Sequence, residues 1–223
     1  MKFSPLSVVL GLTTATVVSG VVMPAPAKAA TFQLASGVTS VFLDLPTLES
    51  VGLTLTGAND TVPPVSSAYL VGFPITPATD FKFSFDQTGF APVSGTIEHI
   101  GSVTFNDVLK LGNFSIGFDP GRVSAIASGF FVKDTITTGA ILFDVAAPSS
   151  LSFDDKTLKL DLVANLLVSP ELAGVLENPA LIGAEIGAAS INGEAVPEPT
   201  TILGALAAGG LITAARRRQA AKG

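Results

Sequence analysis

Residues 81–85 read Phe-Lys-Phe-Ser-Phe and carry the clearest β-strand pattern in the chain. Apolar and polar residues alternate there with a period of two, as expected for a strand with one buried face. The same alternation recurs at residues 41–45, 51–55, 114–118 and 158–162. Repetition of this short pattern along the chain predicts a mostly β protein.

Turn-forming residues separate these strands and indicate how they are connected. Glycine, proline, asparagine and aspartate cluster between the apolar segments, at intervals of roughly 8–15 residues. Further strands are predicted at 95–105, 122–133 and 139–146, and a proline-rich loop at 57–80. Short strands joined by such turns predict a single domain built as an antiparallel β-sandwich or a barrel-like sheet.

One segment departs from the β pattern and predicts a short helix over residues 170–177. Ser169 is suited to cap this helix, Pro170 to occupy its first position, and Glu171 to place a negative charge in its first turn. Apolar residues then follow at helical spacing. We therefore expect one short helix within the β-rich part of the chain.

Charge is distributed unevenly between the ends of the chain and its middle. The chain has 12 basic and 18 acidic residues, and six of the basic ones lie before residue 30 or after residue 215. Since Glu198 also lies outside it, the segment 30–196 keeps 6 basic and 17 acidic residues, a net charge of −11. An acidic domain of this kind repels nucleic acid.

The absence of cysteine excludes disulfides and thiolate chemistry.

The first 29 residues predict a secretory signal peptide. A lysine stands near the start, residues 6–23 are mostly apolar, and two prolines then end the apolar segment. Ala27 and Ala29 place small residues at the −3 and −1 positions of a cleavage site, so we expect cleavage after Ala29, with Ala30 as the new N-terminus. The alternative is an uncleaved N-terminal anchor.

The C-terminal end combines three features in order. Pro197-Glu198-Pro199 interrupts regular structure, an uncharged apolar segment occupies 201–215, and Arg216-Arg217-Arg218 follows. Fifteen residues of helix rise about 22 Å, against about 30 Å of bilayer hydrocarbon. The segment therefore predicts a short transmembrane helix that inserts transiently, with the arginines as a basic stop on the cytoplasmic side.

These three features resemble the PEP-CTERM sorting signal of exported proteins from Gram-negative-type bacteria. The resemblance is confined to about residues 197–218. It implies that an exosortase, an integral-membrane processing enzyme, recognises the tail and delivers the upstream domain to the cell surface or extracellular matrix. It implies nothing about the fold of that domain, because PEP-CTERM tails follow varied domains.

The candidate catalytic residues lack partners in the sequence. His99 is the single histidine and adjoins Glu98, but adjacent residues of a strand point to opposite faces. We therefore expect an ordinary surface or edge-strand histidine, and no zinc site. Asp154 and Asp155 are the one adjacent acidic pair, and their position predicts a hairpin turn rather than a calcium loop. No catalytic, cofactor-binding or metal residues are assigned.

The sequence divides into a signal peptide at 1–29, a β-rich secreted domain at 30–192 and a sorting region at 193–223. The domain is expected to end with a strand at 181–192, and the sorting region to begin with a linker at 193–196. The leading hypothesis for function is a non-enzymatic component of the cell surface or matrix. The alternatives are a module that binds extracellular polysaccharide or a small apolar ligand, through the 57–80 loop or an exposed phenylalanine face, and thirdly an envelope hydrolase.

Overall fold

The structure, a computed structural model, describes residues 30–198. The predicted signal helix and the predicted C-terminal helix at 201–215 lie outside these residues. The elements in chain order are β1 (Thr31–Leu43), α1 (Leu45–Ser50), β2 (Leu55–Asn59), β3 (Val71–Pro74), β4 (Lys82–Asp86), β5 (Gly89–Ser94), β6 (Ile97–Glu98), β7 (Ser102–Phe105), β8 (Leu109–Gly112), β9 (Ser115–Val123), β10 (Ala127–Lys133), β11 (Ile141–Ala146), β12 (Ser150–Asp154), β13 (Lys159–Val168), α2 (Pro170–Val175), a 3₁₀ helix (Pro179–Leu181) and β14 (Glu185–Pro197).

Eleven strands form one antiparallel sheet with the order β5-β4-β1-β14-β13-β11-β10-β9-β6, to which β3 adds on β1 and β12 on β13. The two 13-residue strands, β1 and β14, form its centre. They pair from Phe32 opposite Pro197 to Leu43 opposite Gly187. The N-terminal and C-terminal strands of the described chain are therefore neighbours over their whole length.

One edge of β1 is shared by two partners, which forces the sheet to bend. β4 pairs with Thr31–Gln33, whereas β3 pairs with Val38–Val41. Between these segments, Gly37 has a φ of 140°, and a Cβ atom there would lie 2.3 Å from the carbonyl oxygen of Asn192. Only glycine fits this position, and the local irregularity lets the sheet curve.

β6, at one end of the curved sheet, lies beside the segment that follows β3. Ile75 and His99 form an isolated antiparallel bridge, and the N–H of Thr76 donates to the carbonyl of Glu98 at 2.8 Å. The main sheet is therefore a half-barrel whose concave side encloses the core. The predicted mostly β, antiparallel and barrel-like class is confirmed in this form.

A second antiparallel sheet, ordered β2-β7-β8, covers one end of the half-barrel. Val103 and Phe105 of β7 and Leu111 of β8 belong to the same buried cluster as Leu142 of β11 and Leu172 of α2. The small sheet, α1 and α2 therefore close this end with apolar side chains from separate parts of the chain.

The prediction of a single short helix was incomplete. α2 begins where expected, because the Ser169 side chain accepts a hydrogen bond from the N–H of Leu172 at 3.0 Å. α1 was missed, although Asp44 caps it by accepting from the N–H and hydroxyl of Thr47 at 3.3 and 2.7 Å. The apolar alternation before it concealed this cap. Residues 51–54 consequently form a turn and coil after α1, and the strand predicted at 51–55 is wrong except for Leu55.

Two further predictions are corrected by long-range pairing. The segment at 193–196, predicted as a linker, belongs to β14, because it completes the hydrogen bonds between β1 and β14. The 57–80 segment, predicted as a loop, contains the end of β2 and the whole of β3. In both cases, hydrogen bonds to strands that are distant in the sequence hold the segment in a β conformation.

The interior contains two hydrophobic clusters. The aromatic cluster occupies the half-barrel near the start of β1 and includes Phe32, Phe81, Phe83, Phe153 and Leu34 among its buried residues. The capped cluster, which includes Val103, Phe105, Leu111, Leu142 and Leu172, lies near the end of β1, beneath the small sheet. Phenylalanines of the alternating strands, predicted to be core, lie mainly in the aromatic cluster.

Candidate sorting edge and internal cavity

The predicted processing sites approach each other at one end of the half-barrel, here called the sorting edge (Ala30–Phe32 and Pro197–Glu198). Pro197 pairs with Phe32 in the last register position of β14. The N–H of Glu198 donates to the carbonyl of Thr31 at 3.0 Å. Ala30, the expected mature N-terminus, packs half-buried against the aromatic cluster. Antiparallel pairing of β1 with β14 thus brings both ends of the domain together.

Glu198 of the predicted sorting motif is held by a basic residue of the neighbouring strand. Its carboxylate lies 3.1 Å from Lys82 Nζ, and the side chains of Lys82 and Glu198 are 35% and 16% exposed. Lys82 belongs to the alternating segment that predicts β4, but nothing in the sequence assigned it to the motif. Residues 30–196 contain only six basic residues, so a lysine on a predicted strand was the one feature of the sequence that could have suggested a partner for Glu198.

The other predicted site residues lie outside the described part of the chain. These are Ala27 and Ala29 of the signal cleavage site, Pro199 of the sorting motif, and Arg216, Arg217 and Arg218 of the basic stop. Within residues 30–198, no helix is both long enough and apolar enough to cross a membrane. The signal peptide, its cleavage and the membrane insertion of the tail remain predictions.

His99 is buried, so the prediction of a surface histidine was wrong, although His99 directly follows β6, the strand at one end of the main sheet. Only 4% of the residue is exposed, and the bridge to Ile75 encloses it between strands. Nδ1 lies 2.7 Å from the carbonyl oxygen of Phe114, and Nε2 lies 2.7 Å from the hydroxyl of Thr39. Because a carbonyl only accepts, Nδ1 carries the proton, and neutral Nε2 accepts from Thr39.

The environment of His99 favours its neutral form. Burial lowers the pKa of His99 to about 4, although the hydrogen bond to the Phe114 carbonyl and the charge of Glu98 act in the opposite direction. Glu98 itself accepts from the hydroxyls of Thr96 and Ser115 at 2.6 and 2.7 Å. His99 and Glu98 therefore bond to separate sets of partners and not to each other, as expected for adjacent residues that point to opposite faces of a strand.

A second group of charged residues, Arg122, Asp144 and Glu171, is also engaged in structure. Arg122 donates through Nε to Asp144 at 2.7 Å and through its two terminal nitrogens to Glu171 at 2.7 and 2.9 Å. The hydrogen bonds from Arg122 lower the pKa of Glu171 to about 2, against an opposing effect of burial. Through these hydrogen bonds, Arg122 of β9 links α2 to β9 and β11.

Two acidic residues organise turns. Asp154 accepts from the N–H groups of Lys156 and Thr157 at 2.8 and 3.2 Å, which confirms the predicted turn. Asp134 is fully buried. It accepts from four backbone N–H groups, those of Gly112, Ile136, Thr137 and Thr138, and from one hydroxyl. Burial raises the pKa of Asp134, but these hydrogen bonds have the larger combined effect, and the pKa of Asp134 is lowered overall.

Residues 30–198 contain no group of three His, Asp or Glu side chains placed to hold a metal.

An internal cavity of about 100 Å³ lies within the capped cluster. Its walls come from the half-barrel, the small sheet and both α-helices, with Leu48, Phe105, Leu111, Leu142 and Leu172 among the buried lining residues. Thr39 and His99 also line it, but their polar atoms bond to each other and to a backbone carbonyl. The cavity therefore presents an apolar wall.

A second, open depression of about 510 Å³ lies beside the segment predicted as a loop. Pro63, Pro64 and Leu70 line it from that segment, and Leu55 and Val103 from the small sheet. The lining is mainly apolar, and Thr61 is the one residue in it with a hydrogen-bonding side chain. Residues of the 57–80 segment thus border an open, mainly apolar depression.

Comparison with known proteins identifies the C-terminal segment. A family model of the PEP-CTERM protein-sorting motif matches residues 195–219. No curated protein and no solved structure matches the chain. The match begins inside β14 and continues beyond the described residues. Such a motif implies a secreted protein that is sorted by exosortase, a membrane enzyme. Over this segment, the chain carries a PEP-CTERM protein-sorting motif.

Proposed function

We propose that the protein is an exported, non-enzymatic component of the cell surface or extracellular matrix, delivered through its PEP-CTERM motif. The observation that supports this most is the sorting edge, where the start of the motif is built into β14 beside the expected mature N-terminus. The folded domain thereby carries both processing sites at one end.

The length of the connection places the domain close to the membrane while the tail is inserted. Glu198 is hydrogen-bonded to the sheet, and only Pro199 and Thr200 separate it from the apolar segment that begins at residue 201. Two residues span about 7 Å when extended. An exosortase therefore has to recognise the motif directly against the folded domain.

The engagement of the titratable groups supports a non-enzymatic role. A catalytic base needs a proton to accept and an orienting partner within hydrogen-bond reach of a substrate. The ring of His99 is enclosed and both of its nitrogens are bonded. Glu171 and Asp144 hold Arg122, and Asp134 holds a turn. These groups stabilise the fold.

Tail deletion tests the sorting proposal, and the structure determines where to cut. Removing residues 199–223 preserves Pro197 and Glu198, which complete β14 and pair with Lys82. We expect this variant to fold, to be exported and to appear free in the medium, whereas the intact chain stays with the surface or matrix. Fractionation with an antibody against the domain measures the distribution.

The variant Lys82→Ala is a matched control, because it retains the tail and changes one side chain beside the sorting edge. Lys82→Ala removes one partly exposed charge, so we expect this variant to remain sorted. Unchanged surface or matrix retention of the chain lacking 199–223 would contradict the sorting proposal. Release of both variants would instead indicate that a disturbed domain edge, rather than loss of the tail, causes release.

A second candidate function is the binding of a small apolar ligand. The internal cavity favours it, because its wall is apolar and its volume of about 100 Å³ exceeds that needed by a single water molecule. Surface delivery and ligand binding are compatible, since the cavity and the sorting edge lie at opposite ends of β1.

A further inference from the structure

We propose that the internal cavity is a binding site for an uncharged, apolar molecule about the size of one aromatic ring. This inference rests on the second candidate function above and is independent of how the protein is sorted.

The chemistry of the wall excludes charged and strongly polar ligands. Thr39 and His99 are the polar contributors at the inner wall, and the His99 nitrogens are engaged by the Thr39 hydroxyl and the Phe114 carbonyl. A ligand hydroxyl or ammonium group entering the cavity would lose its bonds to water without replacement, which is costly. An apolar ligand loses nothing of this kind and gains contacts with the aliphatic wall.

The volume sets the size of the ligand. A cavity of about 100 Å³ is lined by leucine, valine, isoleucine and phenylalanine side chains. An engineered apolar cavity of about 150 Å³ stays dry and binds benzene. The present cavity is of the same order, so one ring or a short branched hydrocarbon fits, whereas a fused ring system does not.

The opening lies at the capped end of the domain. Val175 of α2 lines the cavity and is 60% exposed, and Leu53 and Leu109, which also line it, are half-buried. Exposed Thr138 also lines the cavity and is held by Asp134, which accepts from its N–H and hydroxyl. The ligand therefore enters between α2, the coil after α1 and the small sheet.

This opening is remote from the sorting edge. Pro197 pairs with Phe32, while Gly187 pairs with Leu43 close to the capped cluster. Eleven residue steps of strand span roughly 37 Å at about 3.4 Å per residue.

Toluene binding to the full chain tests the proposal. The chain is held in detergent, and the free toluene concentration is fixed through the vapour phase so that partition into micelles does not matter. Thermal unfolding is followed by circular dichroism. At about ten times the dissociation constant, we expect toluene to raise Tm by roughly 3–5 °C in a saturable manner. Phenol, with its added hydroxyl, should raise Tm by less than a third as much.

A pair of phenylalanine substitutions on neighbouring positions separates cavity binding from surface adsorption. Leu111→Phe adds a ring inside the wall and should reduce the toluene shift to below about 1 °C. Val108→Phe adds the same ring on the same hairpin at a position that is 85% exposed, and should leave the shift unchanged. An equal toluene shift in Leu111→Phe and the original chain overturns the proposal.

A methyl NMR titration of the unsubstituted chain keeps the proposal testable if Leu111→Phe does not fold. Toluene should shift the methyl signals of Leu111 and Leu172 and leave the exposed Val93 and Val108 unaffected. Absence of a saturable change at the lining methyls, or equal binding of phenol, overturns the proposal. None of these outcomes depends on the sorting tail, so they leave the delivery proposal unaffected.

Discussion

The two ends of the β1–β14 pair differ in how completely their interiors are filled. At the sorting edge, Phe83 is fully buried and its ring lies 5.1 Å from those of Phe90 and Phe153 and 5.8 Å from that of Phe32. At the other end, the capped cluster encloses a cavity of about 100 Å³. The aromatic cluster contains a smaller void of about 30 Å³, lined by Phe81, Phe90 and Phe130 among others. The same two strands thus border a more completely filled core and a more hollow one.

The composition and origin of the side chains explain the difference. The aromatic cluster is formed largely by adjacent strands of one sheet, whose alternating phenylalanines interlock at ring distances between 4.6 and 6.4 Å. The capped cluster is closed by α1, α2 and the small sheet, whose side chains there are mainly aliphatic, apart from Phe105, and come from separate parts of the chain. Protein interiors are normally close-packed, so the void of about 100 Å³ that remains between these elements marks incomplete filling of the capped cluster.

Phe83→Ala should produce the largest effect, because it opens the dense core. Loss of a fully buried ring with four aromatic neighbours is expected to lower the free energy of unfolding by about 4 kcal/mol. Urea unfolding of the full chain measures it. Phe42→Ala, at a residue that is 45% exposed, is the control and should cost about 1 kcal/mol or less. Equal losses in the two variants would contradict the dense-core description.

The pH dependence of stability tests the buried histidine at the wall of the hollow core. His99 protonates near pH 6.5 when unfolded but near pH 4 when folded, so between these values the unfolded chain binds more protons. The free energy of unfolding should therefore fall as pH falls through this window, by at most about 3 kcal/mol.

The variant His99→Gln serves as the reference for this measurement, since it removes the titrating group while an amide can still bond to Thr39 and Phe114. Its stability should change little between pH 6.5 and 4. The contribution of Glu171, whose pKa is lowered to about 2, is lost at lower pH, below about 4.5. A parallel loss in both chains between pH 6.5 and 4 would show that other groups are responsible.

Adding volume to each core compares their packing directly. Leu34 is fully buried in the aromatic cluster, and its Cδ1 would lie 2.5 Å from a Cβ on Gly193. Leu34→Phe should therefore destabilise the chain by about 1–3 kcal/mol through overpacking. Leu111→Phe enters the cavity and should stay within about 1 kcal/mol of the original stability. Thermal unfolding measures both, and equal destabilisation would argue against a true void.

Lys82→Ala should have the smallest effect on global stability and a local effect on the sorting motif. A partly exposed ion pair contributes about 0–1 kcal/mol. Loss of the pair should release Glu198 more often from the Thr31 carbonyl, so the Glu198 amide should exchange its hydrogen several times faster. Lys110→Ala, at an exposed lysine of β8, is the control. Equal exchange in both variants would mean that Lys82 does not hold the motif.

The sequence allowed a large part of the fold to be predicted, but unevenly. The alternating segments at 81–85, 114–118 and 158–162 all contribute to strands, because strand pattern depends on neighbouring residues. The cap at Ser169 located α2 for the same reason. The cap at Asp44 was equally local but was concealed by the apolar alternation that precedes it.

Predictions that depended on distant partners were less successful. The segment at 193–196 has no strand signal of its own strong enough to distinguish it from a linker, and its order comes from β1. His99 appeared solvent-exposed because its environment is assembled from Thr39, 60 residues away, and Phe114. A single histidine in a polar context gives no indication of such enclosure.

By itself, the sequence determined the β-rich class, the position of α2 and the PEP-CTERM motif, since each is encoded by residues close together in the chain. The tertiary structure alone decided that Glu198 binds Lys82, that His99 is buried and neutral, and that a cavity remains under the small sheet. These features arise from the register of long-range strand pairs and from how separate elements fill a shared interior, and neither is contained in local pattern.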